Sequence, residues 1–364
     1  MSAAGAMPRS AWVFPVLAAL FFAVTSTLGI GFTRTPAGLV FAVVLLVILF
    51  GTVFAAVHHA EVIAHRIGEP FGTLLLTLSV TVIEVAMIET LLLSGKANPA
   101  LARDTVFAVV MIVCNGLVGV CILIGGLRFR EQEFQVSGAN LYLSVLVVLA
   151  TITLILPNYT VATPGPIYSA TQLAFVSVVT IILYAVFLYI QTVRHRDYFI
   201  RDAVDDDHAA PISGRALALS VVLLLVALVS VVLLAKQFSY VVDAGAALIG
   251  APPAFAGVVV ALLILLPEGV AAVAAAGRND LQKSLNLALG SSLATIGLTV
   301  PAVAAVNIGL AKPLLLGLEG RDSVLLLTTI ILSMLTFGTG RTNILFGFVH
   351  VLVFAVFVFL VLAP

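Results

Sequence analysis

Charged residues are scarce in this sequence: Asp, Glu, Lys and Arg make up 9% of 364 residues, while apolar residues make up 62%. An ordinary soluble domain carries roughly 25% charged residues, so a soluble globular class is excluded and the chain reads as an integral membrane protein. Neither sign of charge dominates, since 17 basic residues stand against 17 acidic ones, and the electrostatic footprint of a nucleic-acid partner is missing. Cysteine is nearly absent. Cys114 and Cys121 lie seven residues apart in one apolar run, on one helix face, as small packing residues rather than a disulfide or metal pair. There is no nucleophile with a paired base, no HExxH and no phosphate-binding loop, so no enzyme and no cofactor is expected. Long polar stretches are also lacking. Only Val193–Arg215, with RDAVDDDHAAP, is of that kind, so it should leave the bilayer and divide the chain.

What the chain has in quantity is apolar runs. A helix needs about 20 apolar residues to cross a hydrocarbon core of roughly 30 Å, and the runs are apolar throughout rather than alternating as barrel strands would. Spans are expected near Trp12–Ile30, Ala37–Val57, Phe71–Leu93, Thr105–Gly125, Gly138–Leu156, Tyr168–Gln191, Ala216–Ala235, Phe255–Ala276, Ser284–Ile308, Ser323–Phe337 and Asn343–Leu362. The first is too long for a signal-peptide core of roughly 7 to 15 residues and lacks a convincing cleavage site. The predicted fold is therefore an all-α polytopic membrane protein of eleven transmembrane helices.

Basic loops stay on the cytoplasmic side. With the N-terminus inside, eleven of the 17 basic residues are cytoplasmic, four of them in the linker (Arg194, Arg196, Arg201, Arg215), against six outside. The expected location is the cell inner (cytoplasmic) membrane, with the C-terminus outside.

Two spans carry a carboxylate deep in the apolar run. Laying Phe71 on Phe255 places Glu84 on Glu268 without a gap, and EVIAHRIG from Glu61 pairs with DAGAALIG from Asp243 just upstream. Spans two to six and seven to eleven thus form repeats of five helices. An odd-sized repeat enters the membrane from the opposite side the second time, so the topology is inverted. The expected division is residues 1–36 for an extra N-terminal helix, 37–192 for the first five-helix repeat, 193–215 for a cytoplasmic acidic linker and 216–364 for the second repeat.

A charge at that depth costs at least about 2.5 to 3.5 kcal/mol, so Glu84 and Glu268 mark a pathway or site rather than packing. Thr81 and Thr77 fall three and seven residues before Glu84, on its helix face. Pro267 cannot donate to the Leu263 carbonyl, which frees a second oxygen beside Glu268. In the following span of each repeat, Asn115, with Gly116 and Gly119 allowing close approach, and Ser291, Ser292 and Thr295 offer further polar atoms. Asn286 is a weaker candidate. Glu89 suits either an outer entrance or an interfacial carboxylate near Lys96. His58, His59 and His65 are expected in a cytoplasmic loop, His350 is expected without a partner in the last span, and Asp205, Asp206 and Asp207 are expected in a solvated linker.

The motifs GEPFGTLLLTLSVTVIEVAMI and LLPEGVAAVAAAGRNDLQKSLNLALGSSLATIGLTVPAVAAV resemble the cation/calcium exchanger superfamily, most closely its bacterial calcium/proton antiporter branch. The likeness covers nearly the whole chain, including the extra first helix and the acidic linker. It implies an antiporter whose central ion ligands are Glu84 and Glu268. Sodium-coupled relatives often add Asn or Asp ligands one turn beyond the Asn115 and Ser291 positions, and Gly119 and Thr295 stand there instead. The resemblance therefore favours coupling to protons.

Calcium takes six to eight hard oxygens, and two glutamates with Thr81, Asn115, Ser291, Ser292, carbonyls and water supply them. The same oxygens should take up protons when the ion leaves, because burial and mutual repulsion disfavour two bare charges. The expected activity is exchange of Ca2+ for H+ by alternating access, with both glutamates coupling protons. A Na+(K+)/H+ antiporter using the same site is the alternative, ahead of a passive cation channel. The expected partners are an inorganic cation and the lipid bilayer. A homo-oligomer is left open.

Overall fold

The computed structural model describes residues 8–93, 99–199 and 213–364. Among them, eleven helices are long and apolar enough to cross a bilayer. These are α1 (Arg9–Thr27), α2 (Pro36–Ile67), α3 (Phe71–Leu93), α4 (Leu101–Phe129), α5 (Val136–Tyr159), α6 (Ala170–Arg194), α7 (Gly214–Ile249), α8 (Ala254–Ala276), α9 (Leu281–Gly309), α10 (Gly320–Phe337) and α11 (Ile344–Leu362). Each of the eleven predicted spans has its helix. Two short strands, β1 (Glu131–Glu133) and β2 (Arg341–Asn343), pair antiparallel with Gln132 opposite Thr342.

The helices at the start of each repeat run longer than expected. EVIAHRIG has no Gly or Pro before its final glycine, and the one glycine inside DAGAALIG, Gly245, does not stop its helix, so α2 continues to Ile67 and α7 to Ile249. Each is capped by the paired glycine, Gly68 (φ 78°) and Gly250 (φ 67°), in the positive-φ region that a side chain resists. The expectation of a histidine-bearing loop is therefore wrong. His58, His59 and His65 lie on α2, and His59 is fully buried with its Nε2 2.8 Å from the Ala11 carbonyl oxygen. Polar side chains alone do not end a helix that has neither Gly nor Pro to stop it.

Helix lengths repeat in the first three pairs, with 32 and 36 residues for α2 and α7, 23 and 23 for α3 and α8, and 29 and 29 for α4 and α9, while α5 and α10 have 24 and 18 and α6 and α11 have 25 and 19. Helices α4 and α9 also share a mid-span π-helical turn, at Ile112–Leu117 and Thr295–Thr299. Such turns recur at functional sites, because the wider turn disturbs the regular ladder of backbone hydrogen bonds.

The chain forms two compact units, one of Met1–Ala97 with Asp202–Gly250 and one of Asn98–Arg201 with Ala251–Pro364. In the first, α2 packs against α1, α3 and α7. Gly51 of α2 receives the ring of Phe14, for which any Cβ would leave no room, and Thr52 donates to the Phe14 carbonyl at 3.3 Å. Small residues at such contacts let membrane helices approach closely where no hydrophobic drive brings them together.

In the second unit, α8 packs against α4 and α9, and α11 against α4. A Cβ on Gly347 of α11 would stand 2.9 Å from the Gly119 carbonyl oxygen, and one on Gly119 would stand 3.0 Å from the Val351 nitrogen. Backbone thus meets backbone there. Asp205, Asp206 and Asp207 of the acidic linker, and Lys96, lie outside the described residues.

Candidate ion-binding site

In the second unit, α8 and α9 bring Glu268 and Ser291 together. The Ser291 hydroxyl donates to Glu268 Oε2 at 3.2 Å, and both side chains are half-buried. Pro267, one residue before the carboxylate, sits inside α8, so the Leu263 carbonyl has no N–H to receive from that position. Carboxylate, hydroxyl and carbonyl are the hard oxygen donors that a group 1 or group 2 cation accepts.

Ser292, in contrast, is fully buried and donates back to the Leu289 carbonyl at 2.9 Å, which occupies its hydroxyl proton. Its oxygen keeps an acceptor site, but its first bond is to its own helix. Thr295 is buried and opens the π-turn of α9. Asn286 is tied elsewhere, donating to the Phe199 carbonyl at 2.5 Å and accepting from Gln282 at 3.0 Å.

Asn115 sits in the π-turn of α4, fully buried. Its Nδ2 donates to Thr329 Oγ1 of α10 at 2.8 Å, and its Oδ1 lies 3.2 Å from His350 Nδ1 of α11. His350 Nε2 lies in turn 2.9 Å from Thr336 Oγ1 of α10. Two expectations change here. His350 has partners on both ring nitrogens, and the Asn115 amide is engaged at both ends by neighbouring helices. The sequence carries one legible trace of this network. Thr329, Ser333 and Thr336 recur at i, i+4 and i+7 in an apolar helix, which puts them on a single polar face.

In the first unit, Glu84 of α3 is 1% exposed and Thr81 is buried on the same face, with Thr77 half-buried one turn back. Glu89, expected near an entrance or interface, is buried as well, four residues before the end of α3. The Gly119 position, where the resemblance suggested a ligand in sodium-coupled relatives, is closed by the α11 backbone and has no space for any side chain.

Eleven apolar spans, two of which carry a glutamate at matching repeat positions, define a polytopic ion transporter. The sequence profile described as sodium/calcium exchanger protein matches residues 37–193 and 219–363, and the chain belongs to that family. It is 44% identical to the y4hA protein of Sinorhizobium fredii (strain NBRC 101917 / NGR234) over 98% of this chain and 97% of that one. It is 36% identical to the sodium-potassium/proton antiporter ChaA of Escherichia coli (strain K12), over 96% of this chain and 95% of the relative. Among solved structures, native YfkE superposes with a TM-score of 0.72 at 16% identity, covering 97% of this chain and 100% of that one. The H+/Ca2+ exchanger CAX gives a TM-score of 0.68 at 18% identity, over 96% and 87%. At such identities the structural likeness shows the fold. The chain is a multi-pass membrane transporter of inorganic cations, not an enzyme, and the ions it moves are substrates rather than cofactors.

Proposed function

We propose that the chain is an antiporter of the inner membrane that exchanges Ca2+ for H+, with Glu84 and Glu268 supplying the two negative charges that balance one calcium ion. The observation that carries this reading is the convergence of Ser291 on Glu268 at 3.2 Å, one residue after Pro267 within α8, at the repeat position that Glu84 occupies in α3. Glu84 and Thr81 in one repeat, and Glu268 and Ser291 in the other, are the side-chain ligands. Ser292 completes the set through its remaining acceptor site. Asn115 contributes by holding its turn in place rather than by facing the ion. When the ion leaves, the two carboxylates are neutralised by protons, so both ions compete for the same oxygens. Glu89 serves the path towards the outer side.

The matched helix lengths and the paired glycine caps support two inverted five-helix repeats, residues 37–192 and 216–364, that alternate access to the ligands. The basic-residue bias supports a cytoplasmic N-terminus and linker and an outer C-terminus.

A second reading, exchange of Na+ or K+ for H+, is favoured by a separate observation. The E. coli relative, 36% identical over 357 residues, is named a sodium-potassium/proton antiporter. The Bacillus subtilis relative named a Ca(2+)/H(+) antiporter is 20% identical over 231 residues. Proton flux in inverted vesicles, driven in turn by Ca2+, Na+, K+ and Mg2+, separates the two. A response to Na+ or K+ with none to Ca2+ would overturn the calcium assignment.

A further inference from the structure

We infer that His350 is a positioning residue for ion binding: through Asn115 it fixes the π-turn of α4 that abuts α8 beside Glu268. The inference rests on the proposed role of Glu268.

Four side chains on three helices make one directed chain of hydrogen bonds. The Thr329 hydroxyl donates to its own helix at Leu325 O, 2.8 Å away, so its oxygen is free to accept from Asn115 Nδ2 at 2.8 Å. That orients the amide and leaves Asn115 Oδ1 as the acceptor facing His350 Nδ1 at 3.2 Å. His350 must then carry its proton on Nδ1, and its bare Nε2 accepts from Thr336 at 2.9 Å. Every donor points the same way, from Thr336 through His350 and Asn115 to Thr329 and Leu325. A neutral imidazole meets every bond in this chain, and all four side chains are buried.

The arrangement needs α11 close against α4, and glycines provide it. Gly119 and Gly347 put the two backbones in contact one turn from Asn115, while Gly116 lies under the Phe354 ring, 3.3 Å from a built Cβ. On another side of the same turn stands α8: a Cβ on Gly269, next to Glu268, would lie 3.8 Å from the Leu117 side chain of the π-turn. The turn is thus held between His350 on one helix and the ion-ligand helix on another. A π-turn has a weaker ladder of its own than an α-helix, so an amide anchored to two neighbouring helices decides where its carbonyls and Leu117 stand. Loss of the anchor displaces the wall of the ion site without removing a ligand.

The test is cation-driven proton flux in inverted vesicles for His350→Phe, His350→Gln and His350→Asn, with Glu268→Gln run in parallel. In His350→Asn the side-chain amide takes the place of Nδ1 and keeps the bond to Asn115. In His350→Gln it takes the place of Nε2, keeping the bond to Thr336 and losing the one to Asn115. The expected result is a rise of about three- to tenfold in the KM for the cation in His350→Gln, the size of one lost buried hydrogen bond, and a rise at least as large in His350→Phe, which loses the bonds to both Asn115 and Thr336. The maximal rate and the pH midpoint stay as in the wild type, and His350→Asn recovers most of the affinity. Asn115→Leu combined with His350→Phe should do less than the sum of the two changes, because the bond between Asn115 and His350 is lost in both. His350→Gln carries the expectation if His350→Phe is not recovered folded. A wild-type KM in both would overturn the inference, as would additive effects, no recovery in His350→Asn, or a moved pH midpoint, which would make His350 a proton carrier. If Glu268→Gln transports as the wild type does, the ion-site reading fails and this inference with it. If Glu268→Gln is inactive while the histidine variants bind normally, only the inference fails.

Discussion

Ser291 donates its hydroxyl hydrogen to Glu268 across the α8–α9 contact at 3.2 Å, joining the two helices that carry the longest family-like motif of the second repeat. The bond brings a hydroxyl oxygen beside the carboxylate. On the proposed reading, a cation arriving there meets two oxygen donors already brought together.

Glu268→Gln and Glu84→Gln should each abolish exchange while leaving the protein folded, because each removes one of two charges that offset the ion but keeps the side-chain volume. Flux in vesicles, with size-exclusion profiles as the control for folding, reads the result. Wild-type transport by either variant would show that the site is elsewhere.

Ser291→Ala should be milder. It removes one neutral ligand and one hydrogen bond, so cation affinity falls by about two- to tenfold with proton coupling kept. A flux titration over cation concentration at fixed pH measures this, and complete loss of transport would give Ser291 a larger part than that of a supporting ligand.

Coupling is the sharper consequence. Two carboxylates that either share one Ca2+ or hold one proton each should exchange two protons per calcium ion, with little net charge moved. As pH falls through the range in which the pair takes up protons, apparent calcium affinity should fall, because protons occupy the ligand oxygens. Calcium flux against an imposed membrane potential, with pH equal on both sides, gives the ratio. A reversal potential that needs three or more protons would bring in a further acidic group, Glu89 first.

The expected topology is open to direct labelling. A cysteine introduced in the 193–215 linker should react from the cytoplasmic side alone, and labelling from outside intact cells alone would invert the assignment.

Gly119→Val tests packing rather than chemistry. The new side chain would meet the α11 backbone at the Val351 nitrogen, which is not free to give way. Overpacking of this kind costs roughly 1 to 3 kcal/mol, so the detergent-solubilised protein should unfold at a lower temperature than the wild type. Unchanged unfolding would mean that α4 and α11 are not in contact there.

How much of this was legible follows from where the signals lie. Glu84 and Glu268 stood out because a carboxylate in an apolar run is costly and both occur at one repeat position. The eleven spans were legible from apolar length. The ends of α2 and α7 were not, because His58, His59 and Glu61 look like loop residues, whereas termination waited for Gly68 and Gly250. The partners of His350 were hidden for a different reason. They come from α4 and α10, and Asn115 lies 235 residues away in the chain. The π-turns at Ile112–Leu117 and Thr295–Thr299 left no mark in composition.

The unbroken length of α2 and α7 has a mechanical consequence. At 1.5 Å per residue they are roughly 48 and 54 Å long, while the hydrocarbon layer is about 30 Å thick and helix tilt rarely exceeds about 40°. Even at that inclination each rod outreaches the layer, so one end or both extend past it, and the last turns of α2, which carry His65 and Arg66, are suited to the headgroup layer. Whatever pushes on those turns, whether headgroup charge, a divalent ion at the surface or a change in bilayer thickness, acts on a stiff shaft whose other end is a full membrane away.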